Sequence, residues 1–350
     1  MSSKWISLSC STIQLSTTLT GGQSFRWKRY NTDGDTESKS FIGVMANCLW
    51  LLKETDTTVQ FRVLGELPYP SDDKFSIVRM KVPPPKPTKT KRNEGLLYAD
   101  EYYKSLLRSY FRLDVDLEKH YEQWSAAHSH FRDEAARFYA IRMLDQEPVE
   151  NLFSFICSQN NHITRISSLV EKLCAMYGAE ICQFEGVTYH SFPDAQRLSS
   201  PEVEGQLRSA SFGYRAKFIQ KSAAEVVANG NLEWFHQLQE LDYKAAHQEL
   251  TKLTGIGPKV ADCICLMSLN HLEAIPVDTH VYQIAKLHYL PGLKDAKSVT
   301  AKVYNEIGDK FREVYGELAG WAQTVLFCSD LAKFKEDGDN GVAKKRRKKS

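Results

Sequence analysis

Residues 253–267 read LTGIGPKVADCICLM. Two glycines, a proline and a lysine form a tight turn that runs straight into an apolar helix. Pro258 suits the first helical position, because its missing N–H would have had no intrahelical partner there. Gly255 and Gly257 let the main chain approach a ligand closely, and the N–H groups and dipole of the new helix attract an anion. Upstream, YKAAHQELTKL is a short amphipathic helix. Residues 243–269 therefore read as a helix-hairpin-helix that holds a phosphate backbone without reading bases. Lys259 is the unusual member, since a cation in the first turn opposes the helix dipole and a phosphate anchor could sit elsewhere.

Alone, such a hairpin describes a sequence-neutral DNA clamp with Lys259 as one more phosphate contact. Two residues point further. Cys263 follows Lys259 by four positions and shares its helical face, and Asp278 follows nineteen residues after Lys259, in IPVDTHVYQIAKL. Asp278 reads as a helix N-cap and also as the carboxylate partner of a nucleophilic lysine. Breaking a bond at a sugar anomeric carbon builds positive charge. A carboxylate about 4 Å away at an effective dielectric of about 20 contributes about 4 kcal/mol, close to a thousandfold in rate. The nucleophile must be the neutral amine, yet a free lysine with a pKa of about 10.4 is neutral in only about one part in a thousand near pH 7. Burial and cationic surroundings favour the neutral form, and the positive end of a helix is one such surrounding. Attack at the sugar carbon would give a Schiff base able to drive strand cleavage.

Outward from the hairpin, the chain reads as α+β. In residues 5–64 the hydrophobic pattern has a period of two: Phe25 and Trp27 share one face, Val59, Phe61 and Val63 another, and Asp33-Gly34 marks a turn. The expectation is an N-terminal antiparallel β domain over residues 1–82, then a Pro/Lys-rich linker or loop at 83–97. From Tyr98 the pattern is helical almost throughout, giving a helical domain over 98–335. Pro148 opens a buried helix, and Ile163, Ile166, Val170 and Leu173 stripe the next, which stops at Gly178. A further helix ends with a glycine cap at Gly230, and a closing pair spans about 297–315 and 317–333. Residues 336–350 read as an acidic, then basic, disordered tail.

The 350 residues carry a formal charge of +2, which hides an asymmetry. Six basic residues sit in Lys344–Lys349 and five more in KVPPPKPTKTKRN; without these eleven, 34 basic face 43 acidic residues. With the body near −9, overall charge gives no argument for nucleic acid, and a polyanion must use a local basic face or helix N-termini. No apolar run approaches membrane-spanning length and no secretory leader is legible, so an intracellular protein with reduced thiols and no membrane partner is expected.

LTGIGPKVADCICLM together with PVDTH, FSFICSQNNHITRI, GQSFRW, VTYHSFP, GYRAKFI and GWAQTVLF resembles the eukaryotic 8-oxoguanine DNA glycosylase/AP lyase family of the helix-hairpin-helix superfamily, in collinear order over residues 5–333. The resemblance implies base excision repair: 8-oxoguanine, preferably opposite cytosine, is flipped from duplex DNA and excised through a lysine Schiff base, with β-elimination at the abasic site. It assigns Lys259 as the nucleophile and Asp278 as its partner. Gly22 through its carbonyl, Cys263, Gln323 and Phe327 would bind the extruded base. Asn160, Arg165, Tyr214 and Arg215 would fill and read the space left in the duplex, while Gly255, Gly257 and His280 would approach phosphates. The carbonyls of Thr251, Leu253 and Ile256 would be able to hold a structural ion. Only Cys328 follows Cys265, which leaves no four-cysteine spacing, and no cofactor is expected. Where the family often has three consecutive asparagines, this chain has Asn160, Asn161 and His162, preceded by Gln159; opposite-base stringency is the property this touches.

Two readings stand beside this one: a non-catalytic hairpin protein that holds damaged or bent DNA, and a glycosylase for another damaged or mismatched purine. The basic tail reads as a nuclear localisation signal or a DNA-attracting tail, with a mitochondrial pool compatible with either. A monomer, handing its product to a downstream abasic-site endonuclease, fits such an enzyme.

Overall fold

The computed structural model describes residues 4–10, 12–31, 39–55, 57–67, 96–293 and 299–331. Strands β1 (Ile6–Ser9), β2 (Trp27–Arg29), β3 (Ser40–Met45), β4 (Cys48–Glu54) and β5 (Thr58–Glu66), with helix α1 (Leu15–Thr20) after β1, form the N-terminal unit. The sheet order is β1-β5-β4-β3-β2 and every pairing is antiparallel. The expected β domain is therefore present, and the sheet followed by a helical body is the α+β arrangement read from the sequence. The Asp33-Gly34 turn, most of the Pro/Lys-rich stretch and the tail lie outside the described residues.

Strand alternation sends side chains to two different cores. Trp27, Phe41, Trp50, Leu52, Val59, Phe61 and Val63 face one side, where α2 (Asp100–Tyr110) covers them with Tyr102, Tyr103, Leu106 and Leu107. The sequence boundary at 97/98 assigned this helix to the helical domain, whereas its buried face belongs to the sheet. Phe25 and Trp27 also separate. The strand begins only at Trp27, whose indole N–H donates to the Tyr110 hydroxyl at 2.9 Å. Phe25, in the irregular stretch before it, packs edge-on against Phe155 in the helical core at 5.6 Å.

Helices α3 (Leu117–Ala127), α4 (Ser129–Ala135), α5 (Pro148–Ser158) and α6 (Ile163–Tyr177) build the first half of the body. Pro148 opens α5 as expected, and α5 is buried along almost its whole length. The chain then departs from the helical expectation: β6 (Glu180–Phe184) and β7 (Val187–His190) form a two-stranded hairpin. Its Ile181, Cys182, Phe184 and Tyr189 cover the second face of the large sheet, over Ile42, Val44, Leu49, Leu51 and Leu64. A pair of four- to five-residue strands leaves too short a period to stand out between helices.

Helices α7 (Ala195–Leu198), α8 (Glu202–Ser209), α9 (Arg215–Ala228), α10 (Leu232–Glu240), α11 (Tyr243–Thr251), α12 (Pro258–Met267) and α13 (Thr279–Ile284) follow, and α13 runs into a wider turn of helix at Ala285–Tyr289. The cap of α9 is Asn229 rather than Gly230, which comes one residue later at φ +109° and reverses the chain. The last two helices among the described residues are α14 (Ala301–Tyr315) and α15 (319–331), each beginning later than the stretch expected. Trp321 of α15 is fully buried and donates to the Ile141 carbonyl at 2.8 Å, which docks this last helix on the body. Among the described residues no helix is long and apolar enough to cross a membrane.

Candidate active site

The hairpin forms where the sequence placed it. Asp242 caps α11 by accepting the Ala245 N–H at 3.0 Å, and Pro258 begins α12. The two glycines of the turn serve different ends. Gly255 has φ +84°, and a Cβ there would lie 2.3 Å from the Phe218 ring, so both backbone and packing demand glycine. Gly257 has no such neighbour: a Cβ would meet open space, which leaves the helix N-terminus approachable from outside. Of the three carbonyls singled out for an ion, that of Leu253 accepts the Ile256 N–H at 3.1 Å.

Lys259 in the first turn of α12 points at a cavity that five separated stretches enclose. Gly22 comes from the turn after α1, Phe155 from α5, Lys259 and Cys263 from α12, Asp278 from the start of α13, and Gln323 and Phe327 from α15. All six residues assigned to chemistry or to base binding, Lys259, Asp278, Gly22, Cys263, Gln323 and Phe327, therefore border one space. Lys259 Nζ lies 4.7 Å above the centre of the Phe155 ring. Burial pushes the Cys263 thiol up to about 11, while the charge of Lys259 and its hydrogen bond to the thiol pull the other way.

Asp278 takes the capping role and also borders the cavity. Its Oδ1 accepts the His280 and Val281 N–H groups at 2.9 and 3.0 Å, which caps α13. Both capping bonds use one oxygen, so the cap leaves Oδ2 uncommitted while the residue borders the cavity. Gly22 has φ +90°, and a Cβ would touch Phe327 Cε1 at 3.4 Å, so this turn and Phe327 close one wall together.

The residues assigned to DNA outside the base pocket form a second group. Asn160 is exposed, in left-handed backbone at φ +47°, a conformation that asparagine tolerates. The Arg215 side chain is buried and bonds inward: Nε donates to the Gln159 carbonyl at 3.1 Å, and Nη2 to the carbonyls of Gln159 and, at 3.2 Å, Asn160. The Tyr214 hydroxyl donates to the same Gln159 carbonyl at 3.2 Å, and its ring lies 4.7 Å from the Arg215 guanidinium carbon. Arg165 is exposed on α6, and its N–H is capped by His162 Nδ1 at 3.4 Å. His162 thus does at this helix start what an asparagine would do. His280 Nδ1 pairs with Asp330 at 2.7 Å and its ring meets the Phe327 ring edge-on.

Comparison with known proteins identifies the family. Residues 5–152 match the family model "8-oxoguanine DNA glycosylase, N-terminal domain", and residues 153–309 match "HhH-GPD superfamily base excision DNA repair protein". The chain is 33% identical over 332 residues to N-glycosylase/DNA lyase OGG1 of Arabidopsis thaliana, covering 94% of this chain and 80% of that one. It is 32% identical over 375 residues to the N-glycosylase/DNA lyase of Saccharomyces cerevisiae, covering 98% and 90%. The chain belongs to the 8-oxoguanine N-glycosylase/DNA lyase family. The fold agrees: the Clostridium acetobutylicum 8-oxoguanine glycosylase/lyase, solved with duplex DNA containing cytosine opposite 8-oxoguanine, superposes with a TM-score of 0.71 at 25% identity, covering 92% of this chain and 93% of that one. MBOgg1, solved with a low-affinity DNA ligand, gives a TM-score of 0.74 at 25% identity over 95% and 97%.

Sequence reading missed three supports of this candidate site. Phe155 looked like core of an apolar helix, and only its position under Lys259 distinguishes it. Gln23 is buried beside Gly22: its amide donates to the Arg142 carbonyl at 2.9 Å and accepts the Leu144 N–H at 3.0 Å, which anchors the glycine turn to the body. Gln159 reaches the hairpin, donating to the Gly255 carbonyl at 2.6 Å. A glutamine directly after two glycines in GGQSFRW was the one available signal, because a buried amide there must find partners.

Proposed function

We propose that this chain excises 8-oxoguanine from duplex DNA, preferably opposite cytosine, and then cleaves the strand at the resulting abasic site. The observation that carries this reading is the convergence of Lys259, Asp278 and the base-contacting residues Gly22, Cys263, Gln323 and Phe327 on one cavity. The amine of Lys259 attacks the sugar C1′ and the bond to the base breaks, its electron pair leaving with the base. Asp278 stabilises the positive charge that builds on the sugar. Ring opening of the aminal gives a Schiff base at Lys259, loss of a C2′ proton expels the 3′-phosphate, and hydrolysis frees the lysine. Gly22 and Gln323 orient the base, and Cys263 and Phe327 enclose it.

In the same reading Asn160, Arg165, Tyr214 and Arg215 occupy the duplex around the opposite base. The Arg215 bonds to the Gln159 and Asn160 carbonyls hold that loop in shape. Gly255, Gly257 and His280 meet backbone phosphates. The enzyme acts as a monomer, which fits a protein that must encircle its duplex. The basic run Lys344–Lys349 supports delivery to the nucleus, with which a mitochondrial pool is compatible, and the abasic product of this chemistry supports transfer to an abasic-site endonuclease.

Borohydride trapping on an 8-oxoguanine:cytosine duplex tests the reading. A covalent protein–DNA product that disappears in Lys259→Gln is expected. No trapping by the unaltered chain would favour the non-catalytic DNA-binding alternative, and trapping only on another lesion would reassign the substrate.

A further inference from the structure

The hydroxyl of Tyr304, on α14, lies between the two segments that carry Lys259 and Asp278. It donates to Asp262 Oδ2 at 2.5 Å, on the helix of Lys259. It accepts the N–H of Val277, the residue before Asp278, at 3.2 Å, and the Ile275 carbonyl is 3.3 Å away. Asp262 is fully buried, and its other oxygen accepts from the Tyr243 hydroxyl on α11 at 2.6 Å. His247 Nε2 stands 3.7 Å from that same oxygen. Burial and the neighbouring carboxylate raise the Tyr304 phenol well above its ordinary value, so it remains a donor at any working pH.

We propose that Tyr304 and Asp262 form a positioning latch that holds the Pro276–Val277 peptide, next to Asp278, against the lysine helix and so sets the reach between Lys259 and Asp278. Neither residue borders the cavity, so both act through others. A phenylalanine and a leucine would fill this space without desolvating a carboxylate, and such apolar replacements are often as stable or more stable. The polar pair instead gives direction: the Tyr304 hydroxyl donates to Asp262 and accepts the N–H of Val277, the last residue before the catalytic carboxylate. The inference rests on the reading of Lys259 and Asp278 given above.

Tyr304→Phe keeps the ring and removes the hydroxyl. Single-turnover release of 8-oxoguanine opposite cytosine should slow about 10- to 100-fold, the scale expected when a reacting group is displaced by up to about 1 Å. The dissociation constant for a duplex carrying an uncleavable abasic analogue should stay unchanged. Asp262→Asn should show the same split, and the double variant should lose little more than either single one. Full-rate excision by Tyr304→Phe overturns the latch, as does a loss of duplex affinity in step with the rate. If Tyr304→Phe does not fold, Asp262→Asn decides by the same two measurements. Lys259→Gln run alongside separates the levels: if it still excises, the underlying reading fails, whereas an inactive Lys259→Gln beside a full-rate Tyr304→Phe sinks the latch alone.

Discussion

The side-chain amide of Gln159 donates to the main-chain carbonyl of Gly255 at 2.6 Å, tying the loop after α5 to the hairpin turn. The same residue's carbonyl collects the bonds from Tyr214 and Arg215. One residue therefore joins the hairpin to the loop that would face the opposite base. Gln159→Ala removes only the side-chain link. With a net value of about 1 kcal/mol for one such bond, duplex affinity should fall about fivefold. Fluorescence anisotropy with an uncleavable lesion analogue measures it, and an unchanged dissociation constant would mean that loop and turn act separately.

The two hairpin glycines should respond in opposite ways to one methyl group. Gly255→Ala must carry an alanine at φ +84° and place it 2.3 Å from the Phe218 ring; a stability loss of about 2–4 kcal/mol is expected. Gly257→Ala meets nothing and has an ordinary φ of −95°, so stability should change by less than about 0.5 kcal/mol. The methyl would nonetheless stand at the approach to the helix N-terminus, and duplex affinity should drop. Thermal melting and anisotropy on both variants check the contrast.

Asp278 caps α13 and borders the cavity, and substitutions can separate the two tasks. Asparagine keeps an acceptor for the His280 and Val281 N–H groups, so Asp278→Asn should melt like the parent chain. Asp278→Ala should cost about 1 kcal/mol for the lost cap. Both lose the charge, and single-turnover excision should fall by up to about a thousandfold in each. Excision that followed melting temperature instead would reduce Asp278 to a cap.

Glu150 sets a pH dependence. Burial pushes its carboxyl from 4.5 up to about 7, against the pull of Arg26, whose Nη1 is 4.0 Å away. The folded chain therefore keeps a proton that the unfolded chain releases near 4.5, and the stabilisation this gives is full below that value and fades as pH rises through about 7. Glu150→Gln carries no such proton. Its melting temperature should fall less than that of the parent across this window, and parallel profiles would show that Glu150 does not govern the dependence.

Local order accounts for what could be read in advance. The period-two run Val59, Phe61, Val63, the proline at the start of α5, and the glycine-proline turn of the hairpin each act within a few residues, where steric and hydrogen-bonding preferences decide. The β6–β7 hairpin was not legible, because its short strands matter only as a cover for Ile42, Val44, Leu49, Leu51 and Leu64. The placement of α2 escaped for the same reason. Its own periodicity shows that it has a buried face but not which surface receives it.

The sequence by itself determined the β-sheet followed by helices, the helix-hairpin-helix and the chemical types in the site, because periodicity, turn residues and reactive side chains are properties of neighbouring positions. It also placed Asp278 as a cap. Only the tertiary structure decided that Gly22, Phe155, Lys259, Asp278 and Phe327 enclose one space, that Arg215 turns its guanidinium inward to main-chain carbonyls, and that Tyr304 stands between the two segments of the site. These depend on residues as far apart in the chain as Gly22 and Phe327 being packed together, and the packing energy that brings them there is shared over the whole core rather than written in any one stretch.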